Sequence, residues 1–197
     1  VDSNEFKEIA IEKSIFELFG KTEKSINAIN YFNINAGIGR GKKLSVYFKE
    51  DEVKKIMKIY SEQCTNFFNT AIPTLGAKDF LEFVKKEYQK IKLYILSGGE
   101  QEEIKVFLKA NFLYNFFEDI LASNQSKYEH LKERGVAKND IFIGDTFNDL
   151  KASREVGMKF ILFEEYKSLK SFPNKFSNKK SLLRTKNFNS LMGLLDQ

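Results

Sequence analysis

The spacing of apolar positions changes character about a third of the way along the chain. In the first third it is helical. Phe6, Ile9, Ala10, Ile15, Phe16 and Phe19 predict a helix over residues 4–19, with Asp2 and Ser3 as its cap and Gly20 as its stop. A second helix is predicted over 22–32. The glycine-rich stretch from Asn35 through Gly41 comes next. A third helix is predicted over 49–68, with Val53, Ile56, Met57 and Tyr60 on one face, before Pro73 and Gly76 break the pattern.

From there short apolar runs alternate with amphipathic ones. Helices are predicted over 78–88, 100–111, 127–134, 147–156 and 190–195. Strands are predicted over 92–96, 119–122, 141–143 and 160–163, the third as a fully buried strand. Gly135 and Gly157 close two of the helices, and the Phe-rich stretch Asn111 to Phe117 reads as core. Residues 167–180 carry the weakest pattern. Strands alternating with helices predict an α/β fold, a Rossmann-like parallel sheet covered on both faces. The break at Pro73 and Gly76 sets a helical first part, 1–75, apart from an α/β remainder, 76–197.

Composition narrows the function classes. The chain has 197 residues, 42% hydrophobic and 30% charged, which excludes a disordered chain and a collagen. Its longest apolar runs, such as Leu93-Tyr94-Ile95-Leu96, are too short to span a bilayer, so no membrane role is expected. The single cysteine, Cys64, permits no internal disulfide and reads as a packing residue; it fits a cytoplasmic protein. The net charge is +5 and the pI about 9.0. The excess is mostly lysine and only the tail is locally basic, at Lys175, Lys179, Lys180, Arg184 and Lys186. No basic–aromatic motif accompanies it, so no nucleic-acid partner is expected. The lone histidine, His130, excludes any site that needs two and reads as a surface residue. Nothing in the pattern sets an oligomeric state.

In a parallel α/β sheet, ligands sit beyond the carboxyl ends of the strands. Three features fall there. Ser97-Gly98-Gly99 succeeds one strand and opens a helix, where bare backbone N–H groups suit phosphate; alone, it also reads as a plain turn capped by serine. Gly144-Asp145-Thr146-Phe147-Asn148-Asp149 sets two carboxylates four residues apart across a strand end and a first helical turn. Two hard oxygen donors suit Mg²⁺, although Asp145 as a cap and Asp149 as a complement to the helix dipole would also explain them. Lys127 starts a helix, where its charge opposes the dipole; an anionic site would hold it there, although alone it also reads as a solvated surface lysine.

Together these three features resemble motifs II, III and IV of the haloacid dehalogenase (HAD) superfamily. Leu93 to Gly99 looks like its strand and Ser/Thr-Gly turn, and Ile141 to Asp149 is similar to its paired-acid element. Ile72-Pro73 through Val84 resembles the segment leading from cap to core. The helical first third resembles a C1-type cap, of the kind found in phosphoglycolate phosphatase-like members.

The resemblance implies roles. Ser97 and Lys127 would be catalytic, and with Gly98 and Gly99 would bind phosphate. Asp145 would bind Mg²⁺ directly, and Asp149 directly or through water. Arg40 and Lys43, in the stretch from Asn35 to Lys43, would face the substrate. The implied activity is a Mg²⁺-dependent phosphatase acting on a small phosphorylated metabolite, since the paired acids favour phosphate chemistry over dehalogenation. A phosphosugar mutase, or a non-enzymatic relative acting as a binding module, carries the same motifs.

Motif I, the DxD nucleophile and general acid, is not in the sequence; Val1-Asp2-Ser3 resembles the end of that motif, where the cap opens. The resemblance therefore implies a core lacking its first strand and a nucleophile upstream of Val1. The chain as it stands is expected to be poorly stable and inactive as a phosphatase.

Overall fold

A computed structural model describes residues 1–35, 38–122, 125–137, 139–165 and 182–195. The described helices are α1 (Asn4–Phe19), α2 (Glu23–Ile34), α3 (Arg40–Leu44), α4 (Glu50–Thr70), α5 (Ala77–Glu87), α6 (Gln101–Ala110), α7 (Lys127–Arg134), α8 (Phe147–Glu155) and α9 (Phe188–Leu195). The strands are β1 (Tyr94–Ser97), β2 (Asp119–Ala122), β3 (Ile141–Gly144), β4 (Lys159–Phe163) and β5 (Leu183–Thr185). The chain divides into two compact units, residues 1–72, 97–115 and 122–124 forming one, and 73–96, 116–121 and 125–197 the other.

The first unit is helical, and besides α1 to α4 it includes α6. Its core is a stripe along α4: Ile56, Tyr60, Cys64 and Phe68, all buried and one turn apart. On α1 the buried residues are Ala10, Ile11, Ser14 and Ile15, while Ile9, expected on that face, is exposed. Ser14 is tolerated there because its hydroxyl donates to the Ala10 carbonyl at 2.7 Å. Aromatic rings fill the rest, with Phe6 stacked on Phe67 at 4.2 Å and Phe68 edge-on to Phe107. The N-cap of α1 is Ser3, whose side chain makes no capping bond; Asp2 Oδ1 instead accepts the Asn4 N–H at 3.2 Å. Thr22 caps α2 through the Ser25 N–H. The short helix α3, which begins at the end of the glycine-rich stretch, was not expected.

The second unit is the α/β part. Strands β3, β4 and β5 lie parallel in that order, with Phe142 opposite Phe160, Gly144 opposite Leu162 and Phe163 opposite Thr185. Strands β1 and β2 pair in a separate two-stranded sheet. The core gathers Leu131, Phe142, Leu150, Ala152, Phe160 and Leu162, with Leu96 and Val136 packed against it. Strand β4, flanked on both sides, is buried from Phe160 to Phe163. Strand β3 has a partner on one side among the described residues, and its Ile141 is exposed, so it is not the fully buried strand expected. The three-residue β5 was too short to carry a readable pattern. Gly135 and Gly157 succeed α7 and α8 with φ of 70° and 77°, the left-handed region a helix end favours glycine for.

Two further expectations are corrected. In the Phe-rich stretch only Leu113 is buried; Phe112 is 87% exposed and carries a left-handed backbone at φ 58°. His130 is half-buried rather than a surface residue, and its Nε2 is buried without a hydrogen-bond partner among the described residues. Residues 167–180, including Lys175, Lys179 and Lys180, lie outside the described residues. No described helix is long and apolar enough to cross a membrane.

Candidate functional site

In the second unit, two of the singled-out residues meet. Thr146, not Asp145, is the N-cap of α8: its Oγ1 accepts the Asp149 N–H at 3.2 Å. The Asp149 side chain folds back, so that its Oδ2 accepts from the Thr146 N–H at 2.9 Å and the Thr146 hydroxyl at 2.7 Å. Its Oδ1 accepts from Lys127 Nζ. Asp149 is 2% exposed and Lys127 is largely buried. This is the anionic partner that a lysine at the start of α7 requires.

Gly144 makes the arrangement possible. A Cβ there would lie 2.5 Å from Asp149 Cβ and 2.9 Å from its Oδ2, closer than any real contact. Asp145 comes directly after β3 and is half-buried.

Asp145 and Asp149 are both hard oxygen donors of the kind that fits a divalent cation, Asp145 directly after a strand's carboxyl end and Asp149 with both oxygens engaged by Lys127 and Thr146. Mg²⁺ commonly takes only one or two protein carboxylates. Among the described residues no group of three or more His, Cys, Asp or Glu side chains gathers as a cation cage.

In the first unit, Ser97 ends β1 and its Oγ accepts the Gly99 N–H at 3.1 Å. Gly98 is exposed, and α6 begins two residues after Gly99 without a side-chain cap.

Arg40, on α3, is 8% exposed. Its two terminal nitrogens donate to the two carboxylate oxygens of Glu103, at 2.7 and 2.8 Å, and its Cζ lies 4.7 Å from the Tyr60 ring centroid. Burial disfavours the guanidinium charge, but the Glu103 hydrogen bonds, with smaller help from Tyr60, more than offset it; Arg40 holds its proton more tightly than usual. Burial also pushes the Tyr60 hydroxyl and the Cys64 thiol up.

Lys43, one turn along α3, is buried too. It donates to the Phe32 carbonyl at 2.9 Å and lies over the Phe32 ring. Burial, with repulsion from Arg40 and Lys7, pushes it down to about 8. Folding therefore disfavours the Lys43 charge. The penalty is full below about pH 8 and is relieved as pH rises toward the ordinary value of 10.5. Lys43→Met is expected to be the more stable protein at pH 7, by on the order of 2–3 kcal/mol, with the gap closing by pH 10.5. Urea titrations of both proteins across that range check this. Subtracting the two profiles removes the opposing contributions of Cys64 and Tyr60, and parallel profiles would show that Lys43 titrates normally.

Glu103 was not anticipated. The available signal was a carboxylate one turn before Phe107, on the buried face of its helix, where a charge requires a partner.

A model of the haloacid dehalogenase-like hydrolase family matches residues 2–163. The chain belongs to this family. Comparison with curated protein sequences finds no match. Solved structures of similar fold include a predicted phosphoglycolate phosphatase from Haemophilus somnus (15% identity, 98% of this chain and 92% of that one, TM-score 0.73). A haloacid dehalogenase-like family hydrolase from Streptococcus pneumoniae is also similar (18% identity, 97% and 91%, TM-score 0.68). So is CbbY from Rhodobacter sphaeroides in complex with xylulose-(1,5)bisphosphate (14% identity, 97% and 91%, TM-score 0.71).

Proposed function

We propose that this protein is a Mg²⁺-dependent phosphomonoesterase acting on a small phosphorylated metabolite in the cytoplasm. The observation that carries the reading is the buried Lys127–Asp149 pair, with Asp145 at the end of β3 four residues before Asp149. It combines a fixed cation with a hard carboxylate at a strand end, an arrangement suited to a transferring phosphoryl group. The bisphosphate bound by a structural neighbour supports a phosphorylated small molecule as substrate.

In this reading Ser97, Gly98 and Gly99 hydrogen-bond the phosphoryl oxygens. Lys127 neutralises their charge, and Asp149 keeps the Lys127 ammonium in place. Asp145 and Asp149, the latter directly or through water, would hold Mg²⁺, which would supply further charge neutralisation. Residues 1–75 act as the cap, and Arg40 and Lys43 contact the substrate. Covalent transfer also needs a nucleophile.

Phosphate release from a panel of phosphomonoesters by the protein of its native gene, with and without Mg²⁺, tests the reading. Lys127→Ala and Asp145→Asn are each expected to lower kcat on the order of 10²-fold or more. Arg40→Ala is expected to raise KM more than it lowers kcat. Near-normal turnover in Lys127→Ala or Asp145→Asn would refute the site. Transfer to a sugar from a bisphosphorylated donor, in place of release to water, would mark a mutase.

A further inference from the structure

Glu103 sits in the first turn of α6 and is 3% exposed. Its carboxylate meets Arg40 fork to fork, at 2.7 and 2.8 Å, which fixes both the position and the rotation of the guanidinium plane. The Tyr60 ring stacks against that guanidinium. Gly99 lies along another side. A Cβ there would be 3.7 Å from Arg40 Nη2 and 3.3 Å from Ser97 Oγ, so the bare Gly99 position borders both the guanidinium and the serine hydroxyl.

Of the five N–H donors on Arg40, Glu103 takes two among the described residues, and three remain. A buried ion pair is a costly way to tie two helices together, since apolar side chains of similar volume do it at least as well. What the pair adds is orientation.

We propose that Glu103 is a positioning residue. It fixes Arg40 beside the Ser97-Gly98-Gly99 turn, and the remaining Arg40 donors bind the anionic phosphoryl group held there. The proposal rests on the reading of that turn as a phosphate site. Gly99 has a part in it, because a side chain at that position would crowd both Arg40 Nη2 and Ser97 Oγ.

The test is a calorimetric titration of inorganic phosphate into the intact protein and its variants, with the melting temperature of each measured alongside. Glu103→Gln keeps the side chain's size but replaces one acceptor oxygen with an NH₂ group, so one arm of the fork is lost. It is expected to weaken phosphate binding about tenfold, the scale of one charge-assisted hydrogen bond. Glu103→Asp, which keeps the carboxylate, is expected to fall between wild type and Glu103→Gln. In an Arg40→Lys background, Glu103→Gln is expected to weaken binding no further, because the group it positions is gone. A purely structural pair would lower the melting temperature of Glu103→Gln and leave its phosphate affinity unchanged, and that result overturns the proposal. Ser97→Ala separates this from failure of the site itself. If Ser97→Ala weakens binding and Glu103→Gln does not, the positioning role alone falls. If wild type binds no phosphate, or Ser97→Ala leaves its affinity intact, the phosphate turn falls and the proposal with it.

Discussion

Gly144→Ala is expected to cost about 3–5 kcal/mol of stability and to uncouple Lys127 from Asp149. An added Cβ would lie 2.5, 2.7 and 2.9 Å from Asp149 Cβ, Cγ and Oδ2. No rotation of a flexible chain end relieves this, because the clash begins at the Asp149 Cβ. That side chain is also held by two hydrogen bonds from Thr146 and one from Lys127. Overpacking of this kind costs about 1–3 kcal/mol, and pushing Asp149 out of a buried ion pair adds to it. Gly193→Ala is the control: nothing lies within 4 Å of a Cβ there, and the site is inside helix α9. It is expected to be neutral or stabilising by up to about 1 kcal/mol. Urea denaturation of the two variants beside wild type reads both effects. A Gly144→Ala protein within about 0.5 kcal/mol of wild type, the range of an ordinary surface change, would mean that Asp149 is not where the geometry puts it.

Glu103→Ala is expected to destabilise by about 3–5 kcal/mol, because it strands the Arg40 guanidinium, 8% exposed, without its carboxylate. The double variant Arg40→Met/Glu103→Leu is expected to recover most of that loss, since two apolar side chains of similar volume carry no desolvation cost. The same double variant removes every donor Arg40 offers to the Ser97-Gly98-Gly99 turn. A stable but phosphate-weak protein is therefore the expected result. Chemical denaturation measures the stability arm. Equal loss in Glu103→Ala and the double variant would show that the two helices depend on the pair's charge rather than on filled volume.

Much of the helical unit was readable because helix α4 repeats one buried residue per turn, from Ile56 through Phe68. The limits of that reading show at Ile9 and Ile11. Both are isoleucines on one helix, and spacing ranked the wrong one as core; the packing of α1 against its neighbours chose Ile11. The short helix α3 escaped notice because Gly39 and Gly41 signal a loop, while what stabilises it is the burial of Arg40, Lys43 and Leu44.

The candidate site divides the same way. Asp145, Asp149, Lys127 and Ser97 could be singled out because each stands beyond a strand end or at a helix start, where a residue's type has a direct electrostatic consequence. The T-x-x-D pattern at Thr146 to Asp149 was also present as a capping signature. Glu103 carried a weaker mark, its place in a first helical turn and one turn before Phe107. Its partner lies 63 residues away in sequence, and a carboxylate on a helix reads as solvated until its burial is known.

The sequence by itself determined the alternation of helices and strands, the positions of the phosphate-suited turn and the paired acids, and the membership in the hydrolase family. These are local properties: side-chain period, capping chemistry and the residue types beyond strand ends. Only the tertiary structure decided that Asp149 spends both oxygens on Lys127 and Thr146, that Gly144 must lack a side chain, and that Arg40 is held by Glu103 beside Gly99. Each of these depends on which distant groups share a small volume once water is excluded. There, an unpaired charge or one extra methyl group costs kilocalories, and neighbours in sequence carry no record of it.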